Sequence, residues 1–176
     1  MKKFCITLLL IFIISVTVAV SFNKSTLSEE YLRIHIRANS NSQIDQSVKY
    51  EIKDELVNYL TPYIANVNSK EDAIKLLNEK RLTLISITNK ILKSKGLDYT
   101  SNVVVRNEKF PTRVYGEFTL EEGFYDAVIV ELGNAKGDNW WCVVYPPLCF
   151  TSSDCGVEYK SKILEIINEF KDKMLR

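Results

Sequence analysis

The chain has one histidine, His35, in 176 residues, and that scarcity removes whole classes of chemistry. A structural zinc site needs four Cys or His ligands at short paired spacings, and none of the four cysteines forms a C-x-x-C pair. Any Ser-His or Cys-His nucleophile would have to use His35 as its base. Charge of one sign is missing too: 23 Lys and Arg against 22 Asp and Glu leave a net charge of +1, without the basic footprint of a nucleic-acid binder. The chain has no Gly-x-Ser-x-Gly elbow. "GNAKGDN" (133–139) is a loop without the Gly-Lys-Ser/Thr ending of a phosphate cradle. The paired acids Glu29–Glu30 and Glu121–Glu122 sit beside links or turns, where solvated charge is the ordinary reading. No cofactor and no metal are expected.

What is present begins at the N-terminus. Lys2 and Lys3 precede "FCITLLLIFIISVTVAVSF", an uncharged and mostly apolar run. Lysines ahead of such a run hold it at the cytoplasmic side, so the chain that follows is carried across the membrane. The run is longer than a signal-peptide core of about 7–15 residues and near the roughly 18 of a spanning helix. Cleaved signal and retained anchor, with attachment through residues 4–22, both fit; Ala19 and Ser21 would suit a signal peptidase. The expected organisation is a signal or anchor over 1–23 and one exported domain over 24–176. Cys5 lies inside the run, so no lipobox is formed.

Beyond it, "YLRIHIRA" alternates with period two, Leu32, Ile34 and Ile36 against Arg33, His35 and Arg37, which predicts a strand with its second face toward solvent. Ile44, Val48, Ile52, Leu56 and Leu60 recur at helical spacing behind a Ser42 cap, and Pro62 should end that helix near Leu60. A second helix is expected from the Ser69 cap to Lys95, stopped by Gly96. "NVVVRNEKF", "TRVYGEFTL" and "FYDAVIVEL" read as strands of an antiparallel meander. Ile163, Ile167 and Phe170, with Leu164 and Met174, mark a C-terminal helix. The order β-α-α-β-β-β-β-α predicts an α+β domain of two layers, a mostly antiparallel sheet packed on helices.

"NWWCVVYPPLCF" (139–150) gathers the uncommon residues. Export makes a disulfide admissible, and Cys142, Cys149 and Cys155 allow one pair and one thiol. Arms "WWCVVY" and "PLCF" of a hairpin turning at Tyr145-Pro146 would set Cys142 opposite Cys149, at a separation a disulfide spans; pairing with Cys155 stays open. Neighbouring Trp140 and Trp141 point to opposite faces of a strand. One can pack in the core, leaving the other exposed beside Pro146 and Pro147 as a protein contact. His35, between two arginines, should have a depressed pKa, as either a base or an ordinary strand residue.

"LRIHIRANSNSQIDQSVKYEIKDELVNYL" together with "YDAVIVELGNAKGDNWWCVVYPPLCF" resembles the stage II sporulation protein R family over nearly all of the exported domain. Ala135 departs from the glycine more usual there, and "LEEGFY" from a proline-containing turn. The resemblance implies a non-enzymatic intercellular signal, exported from the forespore into the space before the mother-cell membrane. There it would activate a membrane-embedded aspartic protease that processes the precursor of the early mother-cell sigma factor. Trp140, Trp141, Pro146 and Pro147 are then the contact candidates, with Arg33, His35 and Arg37 as a second patch. The competing class is an exported cell-wall hydrolase pairing His35 with Cys149 or Cys155.

Overall fold

The computed structural model describes residues 30–150 and 157–175, with side chains from 162 onward in the latter segment. The N-terminal run, its possible cleavage or anchoring and the fate of Cys155 lie outside the described residues. The elements are β1 (Leu32–Arg37), α1 (Gln43–Ile64), α2 (Lys70–Ser94), β2 (Ser101–Phe110), β3 (Arg113–Tyr115), β4 (Phe118–Leu120), β5 (Gly123–Leu132), β6 (Asn139–Tyr145) and α3 (Val157–Met174). The expected α+β class and element order hold, with "TRVYGEFTL" folded on itself at Gly116 into the β3–β4 hairpin.

The main sheet has the order β2-β5-β1-β6. β1 lies parallel to β5 and antiparallel to β6, and β2 pairs antiparallel with β5. Central β5 is apolar on both sides, with Ala127, Val128, Ile129 and Val130 all buried, as a strand covered on two faces must be. One face, carrying Ile34, Ile36, Val103, Val128 and Val130, packs on α1 through Val48, Ile52 and Leu56 and on α2 through Leu77, Leu84 and Leu92.

The second face is not left to solvent, contrary to the period-two reading. Its lower half, Tyr31, Phe110, Tyr125, Ala127 and Val143, is covered by Leu120 and Phe118 of β4 and Phe170 of α3. Arg33 and His35 are therefore buried. α1 also runs past Pro62 to Ile64: the ring removes one helical N–H, but Leu60, Thr61 and Ile64 are buried and hold the turn in place. Ile44 lies outside the buried stripe, and Leu164 and Met174 are exposed on α3. Ser42 and Ser69 accept hydrogen bonds from the amides of Asp45 and Asp72 as N-caps, and Gly96, at φ +71°, follows α2.

In the β5–β6 loop Ala135 sits at φ +52°, a left-handed conformation in which a Cβ is strained. Ala135→Gly is therefore expected to stabilise the protein by about 0.5–1 kcal/mol, read as a higher urea midpoint at unchanged m-value.

Candidate partner-binding face

The upper half of the second face is open at its rim, and the parallel β1–β5 pairing determines which charges meet there. Arg106 and Glu108 of β2 and Glu131 of β5 point to the same side as His35 and Arg37 of β1. Arg37 donates to Glu108 at 2.7 Å and to Glu131 at 3.3 Å, and Arg106 pairs with the same two carboxylates at 2.9 and 3.0 Å. Across β5, the Nδ1–H of His35 donates to Glu108 Oε1 at 2.7 Å. Burial tends to raise the Glu108 carboxyl, but hydrogen bonds from Arg106 and His35 and the charge of Arg37 together hold it below its usual range. Two guanidinium groups and an imidazole thus share two carboxylates.

His35 has Phe110 edge-on at 5.7 Å and Trp141 stacked at 5.3 Å. Burial is the main reason its pKa lies below 6.5, opposed by the bond to Glu108 and assisted by Arg37. The direction matches the sequence reading, but desolvation outranks the neighbouring arginine. Among the described residues no free thiol lies beside His35: Cys142 and Cys149 form a disulfide with Cα atoms 6.3 Å apart, which takes Cys149 out of the proposed Cys-His pair.

A histidine with a lowered folded pKa is protonated first in the unfolded chain, so its contribution is complete above about pH 6.5 and is lost as pH falls toward the folded value. Glu108, Asp45 and Asp126 are likewise held low, and their contributions go below about pH 4.5. Unfolding free energy should be flat between about pH 7 and 8 and fall in two stages below. His35→Gln should remove the upper stage and reduce the Glu108 share of the lower one, as denaturant titrations from about pH 7.5 to 3 would show.

The remaining sequence candidates divide by position. The two tryptophans do point to opposite faces. Trp140 packs against the helix-side core with Lys53 Nζ 6.0 Å from its ring. Trp141 lies half-buried on the second face, opposite His35 in the β1–β6 register, with the Arg113 guanidinium 4.3 Å over its ring. Pro146 and Pro147 are buried, which corrects their reading as exposed contact residues. They lack N–H groups to donate to a ladder, so "PLCF" forms turns, with Leu148 N donating to Pro146 O and Phe150 N to Pro147 O. The expected second hairpin arm is absent, and the disulfide ties β6 to this turn. Arg33, also buried, cannot belong to an open patch. The surface that remains is Trp141 with Arg37, Arg106 and Arg113. Arg106, Glu108 and Glu131 escaped the sequence reading, although the alternation of "VVVRNEKF" signals that Arg106 and Glu108 share a face.

These features define an α+β domain that presents a tryptophan among arginines on a half-covered sheet. Residues 28–155 match the family model described as Stage II sporulation protein R (spore_II_R). Stage II sporulation protein R of Bacillus subtilis (strain 168) is 32% identical over 136 residues, 77% of this chain and 61% of that relative. The chain belongs to the stage II sporulation protein R family. The match spans less than two thirds of the curated relative's length, and no solved structure matches. Among the described residues no helix is long and apolar enough to cross a membrane, and no group of three or more His, Cys, Asp or Glu could hold a metal ion.

Proposed function

We propose that this protein is an exported, non-enzymatic signal of sporulation. Made in the forespore, it acts in the space between the forespore and mother-cell membranes, free or tethered through residues 4–22. It binds the extracytoplasmic side of a membrane-embedded aspartic protease of the mother cell. By binding the active state of that protease more tightly than the inactive one, it shifts the protease toward processing the sigma-factor precursor.

Family membership supports the sporulation role, and the lysine-led apolar run and the disulfide support export. The observation that carries the binding role is Trp141, half-exposed on the edge strand β6 with the Arg113 guanidinium over its ring, on the sheet face that also carries Arg37 and Arg106. Tryptophan and arginine are the residue types enriched at interface hot spots.

The test is reconstitution of the full chain, the protease and the sigma precursor in a host without other sporulation proteins. Processing should require the full chain and fall about tenfold or more with Trp141→Ala, a loss typical of a hot-spot residue, while the disulfide still forms. Failure of the wild-type pair to process the precursor would exclude direct activation.

A further inference from the structure

Arg33 is fully buried. Its Nη2 donates to the Tyr115 hydroxyl at 2.8 Å, while Nε and Nη1 have no hydrogen-bond partner. Among the described residues no carboxylate lies within ion-pair distance of it. Three aromatic rings surround the guanidinium instead, with centroids 4.2 Å (Phe110), 4.8 Å (Tyr125) and 5.8 Å (Tyr115) away. Cation–π attraction offsets part of the desolvation, but rings at those positions leave the N–H donors of two nitrogens without acceptors. An arginine cannot escape such a site by losing its proton as a lysine can.

The cover over this cage is the β3–β4 hairpin. Tyr115 caps the guanidinium from β3, and Phe118 and Leu120 of β4 close the side. The hairpin forms its own two-stranded sheet, with no ladder to the main one. It is joined to β2 and β5 by two short links, 111–112 and 121–122, and a lone two-stranded hairpin is marginal in water. What holds it down is the packing beneath it, the Tyr115–Arg33 bond, the Arg113 guanidinium over Trp141 and the Glu117–Lys171 ion pair to α3.

We propose that the β3–β4 hairpin is a flap over a carboxylate-binding site anchored by Arg33, and that it lifts to admit an acidic side chain of the partner. The site itself stands on geometry alone; naming the partner as the protease rests on the function proposed above. A carboxylate fits because one guanidinium offers one positive charge, and a flat anion can lie between the rings that already flank it. Bound there, it supplies the acceptors that Nε and Nη1 lack, in exchange for the Tyr115–Arg33 bond, the Glu117–Lys171 ion pair and the Arg113–Trp141 stacking that the lifted flap gives up.

Two variants of the full chain separate this from a purely structural arginine. Tyr115→Phe keeps the ring and removes the flap's hydroxyl. Phenylglyoxal labelling followed by mass spectrometry reports access to Arg33, with exposed Arg81 as reference. Labelling of Arg33 should quicken about tenfold in Tyr115→Phe, a factor within reach of one charge-assisted hydrogen bond, at unchanged Arg81 labelling. Acetate should slow it where equal chloride does not. Labelling of Arg33 only at the rate of global unfolding, equal in both proteins, overturns the flap; no protection by acetate overturns the carboxylate. In the reconstituted host, Arg33→Met should abolish processing and Tyr115→Phe should raise it, whereas a packing role lowers both. If the wild-type pair itself fails to process, the partner assignment falls, and the labelling result still decides the site.

Discussion

Gly137→Ala is expected to destabilise the protein by more than about 3 kcal/mol, enough to deplete folded protein on expression. A Cβ at Gly137 would fall inside contact distance of the Ser40 carbonyl oxygen and its carbon, both backbone atoms, so no rotamer change relieves it. The β5–β6 loop would have to leave the β1–α1 turn, and the bonds lost are those that join the two halves of the chain. Gly137 N donates to Ala38 O at 2.9 Å, Asn134 N to Asn39 Oδ1 at 2.9 Å and Asp138 N to Asn41 Oδ1 at 2.6 Å. Beneath them Lys49, fully buried, donates to Asp138 O at 3.0 Å and Gln46 Oε1 at 2.7 Å.

The same knot holds Asp45 at the start of α1. Asn39 and Ser40 donate to one of its oxygens, and Tyr99 donates to the other at 2.5 Å. Burial pushes the Asp45 carboxyl up, but these bonds together outweigh it and keep the group ionised, while burial and the nearby carboxylate raise the Tyr99 phenol. A buried carboxylate satisfied on both oxygens depends on every donor staying in place, so one methyl at Gly137 reaches far into the fold. Chemical denaturation of Gly137→Ala beside the wild type would read the loss directly. A midpoint shift under about 1 kcal/mol would mean the loop tolerates displacement.

Which residues share a face was legible from spacing; what covers each face was not. Leu32, Ile34 and Ile36 alternate cleanly with Arg33, His35 and Arg37, and those two sets do lie on opposite sides of β1. That pattern cannot show that Tyr115, Phe118 and Leu120 come from far downstream to cover Arg33, or that Phe110 and Trp141 flank His35, because cover is a tertiary property. The role of Glu108 was hidden for a related reason. It reaches His35 across an intervening strand, and only the order β2-β5-β1-β6 brings them together. Compartment and count gave one bridge among three cysteines and left Cys155 open; the Cys142–Cys149 pairing is present although the hairpin drawn around it did not form. The prolines that made that hairpin attractive are what deny its second arm a ladder.

Opening the Cys142–Cys149 bridge, by Cys149→Ser or by reduction, is expected to cost about 2.5 kcal/mol, the loop-closure value for about eight residues. Against a total stability of about 5–15 kcal/mol for a domain, that is a large share. The bridge pins the 146–150 turn to the end of β6, and Phe150, fully buried beside Cys142 in the helix-side core, depends on that turn. Trp141 is held differently, by the β6 ladder to β1 and by its contacts with His35 and Arg113. Loss of the bridge should therefore lower the amount of folded protein more than the competence of each folded molecule. Cys149→Ser assayed at low temperature, where folded protein is recovered, should activate processing nearly as wild type does. Iodoacetamide should leave the oxidised wild type active. Loss of activity on alkylation of oxidised protein would instead point to a working thiol and restore the hydrolase reading.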